Sequence, residues 1–485
     1  MYISNTEYDE AFKIIELLND EGISISKEDG KLKYKAKDKS SIKKMFGLLK
    51  DNKELLIKYL DYKKFDENSF PLTSIQSAYV LGRKKEYQLG GVSTNYYFEL
   101  KFKSLDIKKI EDAINTIIKN NQALRTVVFK DLFQKVFYDV PRFKIQKLDI
   151  KKEDIDEYRP NLISKMHELE KWPMFSVKHT DYGNEDILHF TFDCMVLDAL
   201  SINLFLKNLF KLYQDKDIIW PKYTFKEYVN THMSKIEKQD DEKAKEYWCN
   251  RLKNMNSYPK LVDEERINNI KKPRFKRINH LFSKEDTEVF YKKCIKNRVT
   301  PASVIATIYM KAISKHTSDN IAINSTTFNR NMVNEDMFDI MGDFTNIFLI
   351  HHDFKDKNIL TSFKDIQKQF MQIVRFKDYD GTKIIKSLTK DPKKLVMPVV
   401  FTCVLNGLKK PKDEYLMDGV KLGYSVSQTP QVFLDYQVTD FTKELSLSWD
   451  YVDQAFDKEF LELLFSQNIN MVKSLINSDD WNLDW

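Results

Sequence analysis

The stretch His189 to Ser201, "HFTFDCMVLDALS", carries two carboxylates, Asp193 and Asp198, within an otherwise almost wholly apolar run. Each would cost several kcal/mol if buried without a partner. "DILHFTFD" alternates as a strand and "ALSINLFLKNLF" has helical spacing. Asp193 therefore reads as a strand-end turn carboxylate and Asp198 as a helix N-cap, or both belong to a site at the edge of the core.

The flanking sequence has the same texture. "NYYFELKFK" alternates as a strand, "KKIEDAINTIIKNNQAL" is helical, and "LVMPVVFTCVL" reads as a buried strand. "TPASVIATIYMKAISKH" has Thr300 as cap, Pro301 in the first turn and an apolar face through Val304, Ile305, Ile308, Tyr309 and Ala312. Long strands and packed helices together argue for α/β layers. The helix-dense "KAKEYWCNRLKNMNSYPKL" suggests a division into lobes at 66–255 and 256–485.

A chain of 485 residues can bury large cores without staples. It has no apolar run near the roughly 18 residues of a membrane span, and "MYISNTEYDEAFK" lacks the pattern of a signal peptide. The cysteines at 194, 249, 294 and 403 are too scattered for a disulfide framework or a zinc site, so the expectation is a reducing cytoplasm, no membrane and no metal. A net charge of +6 is small beside 78 basic and 72 acidic residues, and no nucleic-acid-binding motif accompanies it, so nucleic acid is not an expected partner. Nor is there a glycine-rich phosphate loop for an intrinsic ATP site.

Residues 1–62 read as a separate small unit. "NTEYDEAFKIIELLNDEG" is an amphipathic helix stopped by Gly22, "ISISKEDGKLKYKAK" is a hairpin turning at Glu28-Asp29-Gly30, and "SSIKKMFGLLKDNKELLIKYL" resumes helical spacing with Ser40 or Ser41 as N-cap. On the second strand Leu32, Tyr34 and Ala36 take one face and Lys31, Lys33, Lys35 and Lys37 the other. The lysines read either as a solvated face protecting an edge strand or as a surface that takes up an acidic peptide as an added strand. The helix–hairpin–helix order resembles the N-terminal docking domains of assembly-line synthetases.

Two further patterns resolve to structure. "LGGVST" looks like a phosphopantetheine attachment site, but Ser93 leads into a strand where a carrier protein needs a helix. "HHDFKD", His351 to Asp356, matches most of the His-His-x-x-x-Asp-Gly signature of acyltransferases, but Lys357 replaces the glycine. These histidines read as the polar end of the strand "TNIFLI".

In order along the chain stand "FPLTSIQSAYVLGR", "KWPMF", "HFTFD", "GDFTNIFLI", "PVVFTCVL", "SQTPQVFLDYQ" and "LSWD". With Asp193-Cys-Met-Val-Leu-Asp198 as the Asp-x-x-x-x-Asp motif, the chain resembles the heterocyclisation domains of nonribosomal peptide synthetases from about Phe70 to Asp450. These are condensation-domain variants that lack the histidine motif. The resemblance implies a two-lobed, V-shaped, chloramphenicol-acetyltransferase-like fold with a tunnel open at both faces, behind a small α+β docking domain. It implies no bound cofactor, substrates delivered on the phosphopantetheine arms of upstream and downstream peptidyl carrier proteins, and an acidic C-terminal peptide of an upstream synthetase subunit as docking partner for Lys31, Lys33 and Lys35.

The implied chemistry is amide formation followed by cyclodehydration of a Cys, Ser or Thr side chain onto that amide. Asp435 and Thr402 match the positions credited with the second step, as acid/base and its hydrogen-bonding partner. The first aspartate of the motif is structural in the relatives, and Arg330 of "FNR" is its expected partner. Asp198 and Asn329 are expected along the tunnel. Cys403, where serine is usual, should face away from it, and Asn121 replaces a common histidine. With no adenylation or carrier segment, the expectation is a monomer acting in trans or a piece of a longer synthetase.

Overall fold

The computed structural model describes residues 3–28, 30–36, 38–233, 242–253, 255, 258–330, 333–377, 379–405 and 416–481. Its N-terminal unit pairs β1 (Ile23–Glu28) with β2 (Lys31–Ala36) in an antiparallel hairpin between the helices Asn5–Asp20 and Lys39–Asp51. Leu32 and Ala36 lean on a small core of Ile14, Leu18, Ile23, Leu49 and Leu56. Tyr34, expected beside them, is instead 40% exposed. The second helix is capped by Asp38, whose side chain accepts from the Ser40 N–H, and not by Ser40 or Ser41. Asp38 has the extended backbone that an N-cap needs, whereas Ser40 and Ser41 already lie in the helix's first turn. Asp29 of the expected turn, and Lys37, lie outside the described residues.

Beyond this unit come β3 (Ser69–Pro71), β4 (Asn95–Phe102), β5 (Thr126–Phe129), β6 (Phe133–Val136), β7 (Gln146–Lys147), β8 (Phe175–Asp181) and β9 (Asp186–Asp193). The rest are β10 (Phe275–Leu281), β11 (Asn320–Phe328), β12 (Thr345–Asp353), β13 (Val399–Val404), β14 (Lys421–Gln428), β15 (Leu434–Thr439) and β16 (Ser446–Val452). One sheet runs β14-β4-β9-β8-β7 and a second runs β10-β16-β15-β13-β11-β12. Strand β14 lies in sequence between β13 and β15 of the six-stranded sheet, yet pairs with β4 of the other sheet and so joins the two halves. Beyond the α/β layering read from sequence, residue 256 itself falls outside the described residues.

Helix Pro301–Ser314, capped by Thr300, is buried almost all round because it packs behind the six-stranded sheet, with Tyr309 against Tyr436 and Trp449. The N-terminal unit is not a loose appendage. Tyr8 sits among Tyr59, Tyr62 and Phe137, and the buried Lys135 on β6 donates to the Lys64 carbonyl at 2.8 Å and to Asp66 at 2.9 Å. No helix among the described residues is long and apolar enough to cross a membrane.

Candidate functional site

Between the two sheets lies a cavity of about 350 Å³. Its wall on the six-stranded side is set by strand register. In the parallel set β11, β13 and β15, Thr326 stands beside Thr402 and Thr402 beside Gln437, while Asp435 stands beside Val400. Because side chains alternate, Val400, Thr402 and Val404 of β13 and Asp435, Gln437 and Thr439 of β15 all face the cavity. Cys403, between them, packs into the apolar core behind the sheet, as its position requires.

Thr402 and Asp435, 33 residues apart in the chain, meet here with Thr402 Oγ1 3.1 Å from Asp435 Oδ1. The Thr402 hydroxyl also lies 3.1 Å from Thr326 Oγ1. Asp435 Oδ2 accepts from Gln437 Nε2 at 2.5 Å and from Ser427 Oγ at 3.4 Å. Burial pushes the Asp435 carboxyl up to about 7 and the neighbouring Asp450 pushes the same way, while Gln437, Thr402 and Arg277 pull it down. A carboxyl that is half protonated near neutral pH can both give and take a proton, which is the requirement for general acid–base work.

The aspartates of the opening motif divide. Asp198 lines the cavity, caps helix Ala199–Tyr213 by accepting from the Ser201 N–H at 2.7 Å, and is 3.2 Å from Arg330 Nη2. Asp193 is fully buried, outside the cavity lining, and its Oδ2 takes a hydrogen bond from Arg83 Nη2 while Oδ1 accepts from the Met195 N–H. The expected Asp193–Arg330 pair is therefore replaced by two pairs, Arg83–Asp193 and Arg330–Asp198. The turn after β9 sends the two carboxylates to different sides, so only Asp198 can reach the arginine of "FNR". Arg330 also donates to the carbonyls of Met337 and Ile340 and to Ser201 Oγ, which ties the loop before β12 to the motif.

Asn329, expected on the tunnel wall, is not there; its side-chain amide donates to the Lys377 carbonyl at 2.7 Å. His351 and His352 lie on β12, bonded to Asn320 and Ser362, and no histidine among the described residues lines the cavity. Ser93 is fully buried. Lys31, Lys33 and Lys35 are exposed on β2, and none of them lines the cavity.

The sequence reading missed four residues. Arg83 closes the motif "FPLTSIQSAYVLGR" and was available as the partner of Asp193. Arg277 and Asp450, the aspartate of "LSWD", form a buried bidentate pair beside Asp435, with both contacts at 2.6 Å. Asp343, in "GDFTN", is fully buried with Oδ2 unpartnered among the described residues, and burial pushes its carboxyl up to about 8.

Several known proteins are similar to this chain. Bacitracin synthase 1 of Bacillus licheniformis is 28% identical over 431 residues, which is 85% of this chain and 8% of that protein. Pyochelin synthetase PchF of Pseudomonas aeruginosa is 23% identical over 96% of this chain and 27% of its own length. Phenyloxazoline synthase MbtB of Mycolicibacterium paratuberculosis is 24% identical over 85% of this chain and 36% of its own. The chain thus spans well under half the length of these relatives. In fold it matches the EpoB cyclization-docking bidomain of Sorangium cellulosum along its whole extent, with a TM-score of 0.78 at 20% identity, covering 98% of this chain and 100% of that one. The synthetase FmoA3 follows with a TM-score of 0.74 at 22% identity over 86% of this chain and 44% of that one. The condensation-domain profile matches residues 66–482, and the chain belongs to the condensation-domain family of nonribosomal peptide synthetases.

Proposed function

We propose that the chain is a heterocyclisation domain preceded by a docking unit at residues 1–62, its lobes spanning 66–255 and 256–485. It joins an acyl or peptidyl thioester on an upstream carrier to Cys, Ser or Thr on a downstream carrier. It then closes the side chain onto the new amide with loss of water, giving a thiazoline or oxazoline. The observation that carries this reading is the Thr402–Asp435 pair at 3.1 Å on the cavity wall.

Ring closure needs the protons of the nucleophile and of the amide N–H removed and two protons delivered to the departing oxygen, because an amide oxygen leaves only as water. Asp435 does both in turn, and Thr402 holds it by hydrogen bond. The names of the relatives, a phenyloxazoline synthase and a pyochelin synthetase, agree with such chemistry. The exposed Lys31, Lys33 and Lys35 suit an acidic C-terminal peptide of an upstream subunit. Substrates carried on partner proteins suit a cytoplasmic reaction. The test is the intact mass of the product on the downstream carrier after incubation with both loaded carriers. A product lighter by one water than the amide supports ring closure; the unaltered amide assigns plain condensation, and no transfer assigns a recruiting scaffold.

A further inference from the structure

Strands β15 and β16 run antiparallel with Asp435 directly opposite Asp450. Side chains so placed have Cβ atoms about 5 Å apart, and like charges there repel. Two buried carboxyls in such a position need a physical reason. The next strand supplies part of it. Arg277 on β10 stands opposite Asp450 in turn and grips it through Nε to Oδ1 and Nη2 to Oδ2, each 2.6 Å. Arg277 Nη1 donates to Ser425 Oγ, and the Ser427 N–H donates to Asp450 Oδ2 at 2.8 Å. Burial works against ionisation of Asp450, but three donors on one carboxylate keep it charged. Arg277, Asp450 and Asp435 thus form one row across three strands, roofed by β14.

Of the other groups facing Asp435, Thr402, Gln437 and Ser427 donate hydrogen bonds. Tyr309 behind the sheet, Tyr79 from helix Ser74–Gly82, and Cys194 after β9 are held neutral by burial. Fixed charge comes from Asp450 and Arg277. Asp450 does not line the cavity and so touches no substrate. We propose that the Arg277–Asp450 ion pair is a positioning element for Asp435: Asp450 sets a negative charge beside the carboxyl that moves the proton, and Arg277 limits how much of that charge it feels. The inference rests on the proposed role of Asp435.

The two ends of the pair then act with opposite sign. Asp450→Asn leaves the guanidinium uncompensated beside Asp435, which loses its proton at lower pH. Arg277→Gln leaves two adjacent carboxyls sharing one proton, which they keep to higher pH. The experiment is an infrared titration of the carboxylic-acid C=O band, identified by its loss in Asp435→Asn, on the wild type and both variants. The pH profile of ring product relative to amide product is measured alongside.

The expected result is a midpoint lower by about one pH unit or more in Asp450→Asn and higher by a similar amount in Arg277→Gln, with the ring-to-amide profile following each. Unmoved midpoints, or shifts in the same direction as a loosened fold would give, overturn the proposal. Should Asp450→Asn not fold, Arg277→Gln decides alone: an upward shift supports the proposal, and none or a downward one overturns it. Opposed infrared shifts with no ring product from the wild type would uphold this pairing while refuting cyclisation. Ring product with unmoved midpoints would do the reverse.

Discussion

Replacing Asp435 by Asn should make the protein more stable at alkaline pH while abolishing ring formation. The Asp435 carboxyl rises from an ordinary 3.8 to about 7 because it is buried, at 7% exposure, beside Asp450. Between those two values the folded chain holds a proton that the unfolded chain has released. Stability from this group is therefore greatest in acid, falls as pH rises from about 4, and levels off above about 7. At 1.36 kcal/mol per unit, the loss is about 2 kcal/mol at pH 5 and about 4 kcal/mol at pH 8. Asparagine cannot ionise and carries no such loss. Gln437 can turn its amide and Ser427 its hydroxyl to suit the new donor, so the pH-independent cost of the change stays modest. The stability of Asp435→Asn relative to wild type should thus improve by roughly 2 to 3 kcal/mol between pH 5 and pH 8. Guanidinium unfolding followed by tryptophan fluorescence at the two pH values measures it, Trp449 being buried in the strand next to Asp435. A relative stability that stays within about 0.5 kcal/mol between the two pH values, or that falls, would refute the burial argument.

Thr402→Val should lose most ring product while keeping amide product, and Thr402→Ser should retain both; equal losses of both products in the valine variant, read by intact mass, would remove the hydroxyl from the mechanism. Asp193→Ala and Arg83→Met should each destabilise by about 3 to 5 kcal/mol, and together by much less than their sum, since one change already leaves the other charge unpaired. Combining Asp193→Ala with Arg330→Met should instead be close to additive in denaturant titrations, because Arg330 serves Asp198. Changing Lys31, Lys33 and Lys35 together to Glu should weaken capture of an acidic C-terminal peptide at least tenfold in fluorescence anisotropy with thermal stability nearly unchanged, as all three are exposed. Deleting residues 1–62 should instead lower the melting temperature, because it strips Tyr8, Tyr59 and Tyr62 from Phe129 and Phe137 and leaves Lys135 buried without the Tyr62 carbonyl.

What the sequence disclosed and what it withheld follow one physical division. Period-two alternation on β13 and β15 is local, so the inward direction of Thr402 and Asp435 and the outward direction of Cys403 could be read from the residues once the strands were recognised. The same holds for the caps at Thr300 and Asp198, where the side chain bonds to a backbone only three positions away. Partner choice is not local. Asp193 and Asp198 both needed an arginine, and two stood in quoted motifs, but which arginine serves which carboxylate depends on how the turn at 194–197 aims them. The placement of β14 escaped for a related reason: "KLGYSVSQ" alternates equally well beside strands of either sheet, and only the packed molecule pairs it with β4. That crossing is also what brings Ser425 and Ser427 over the Arg277–Asp450 pair. A single strand therefore spans both halves of the molecule and touches the carboxyl proposed to move the proton.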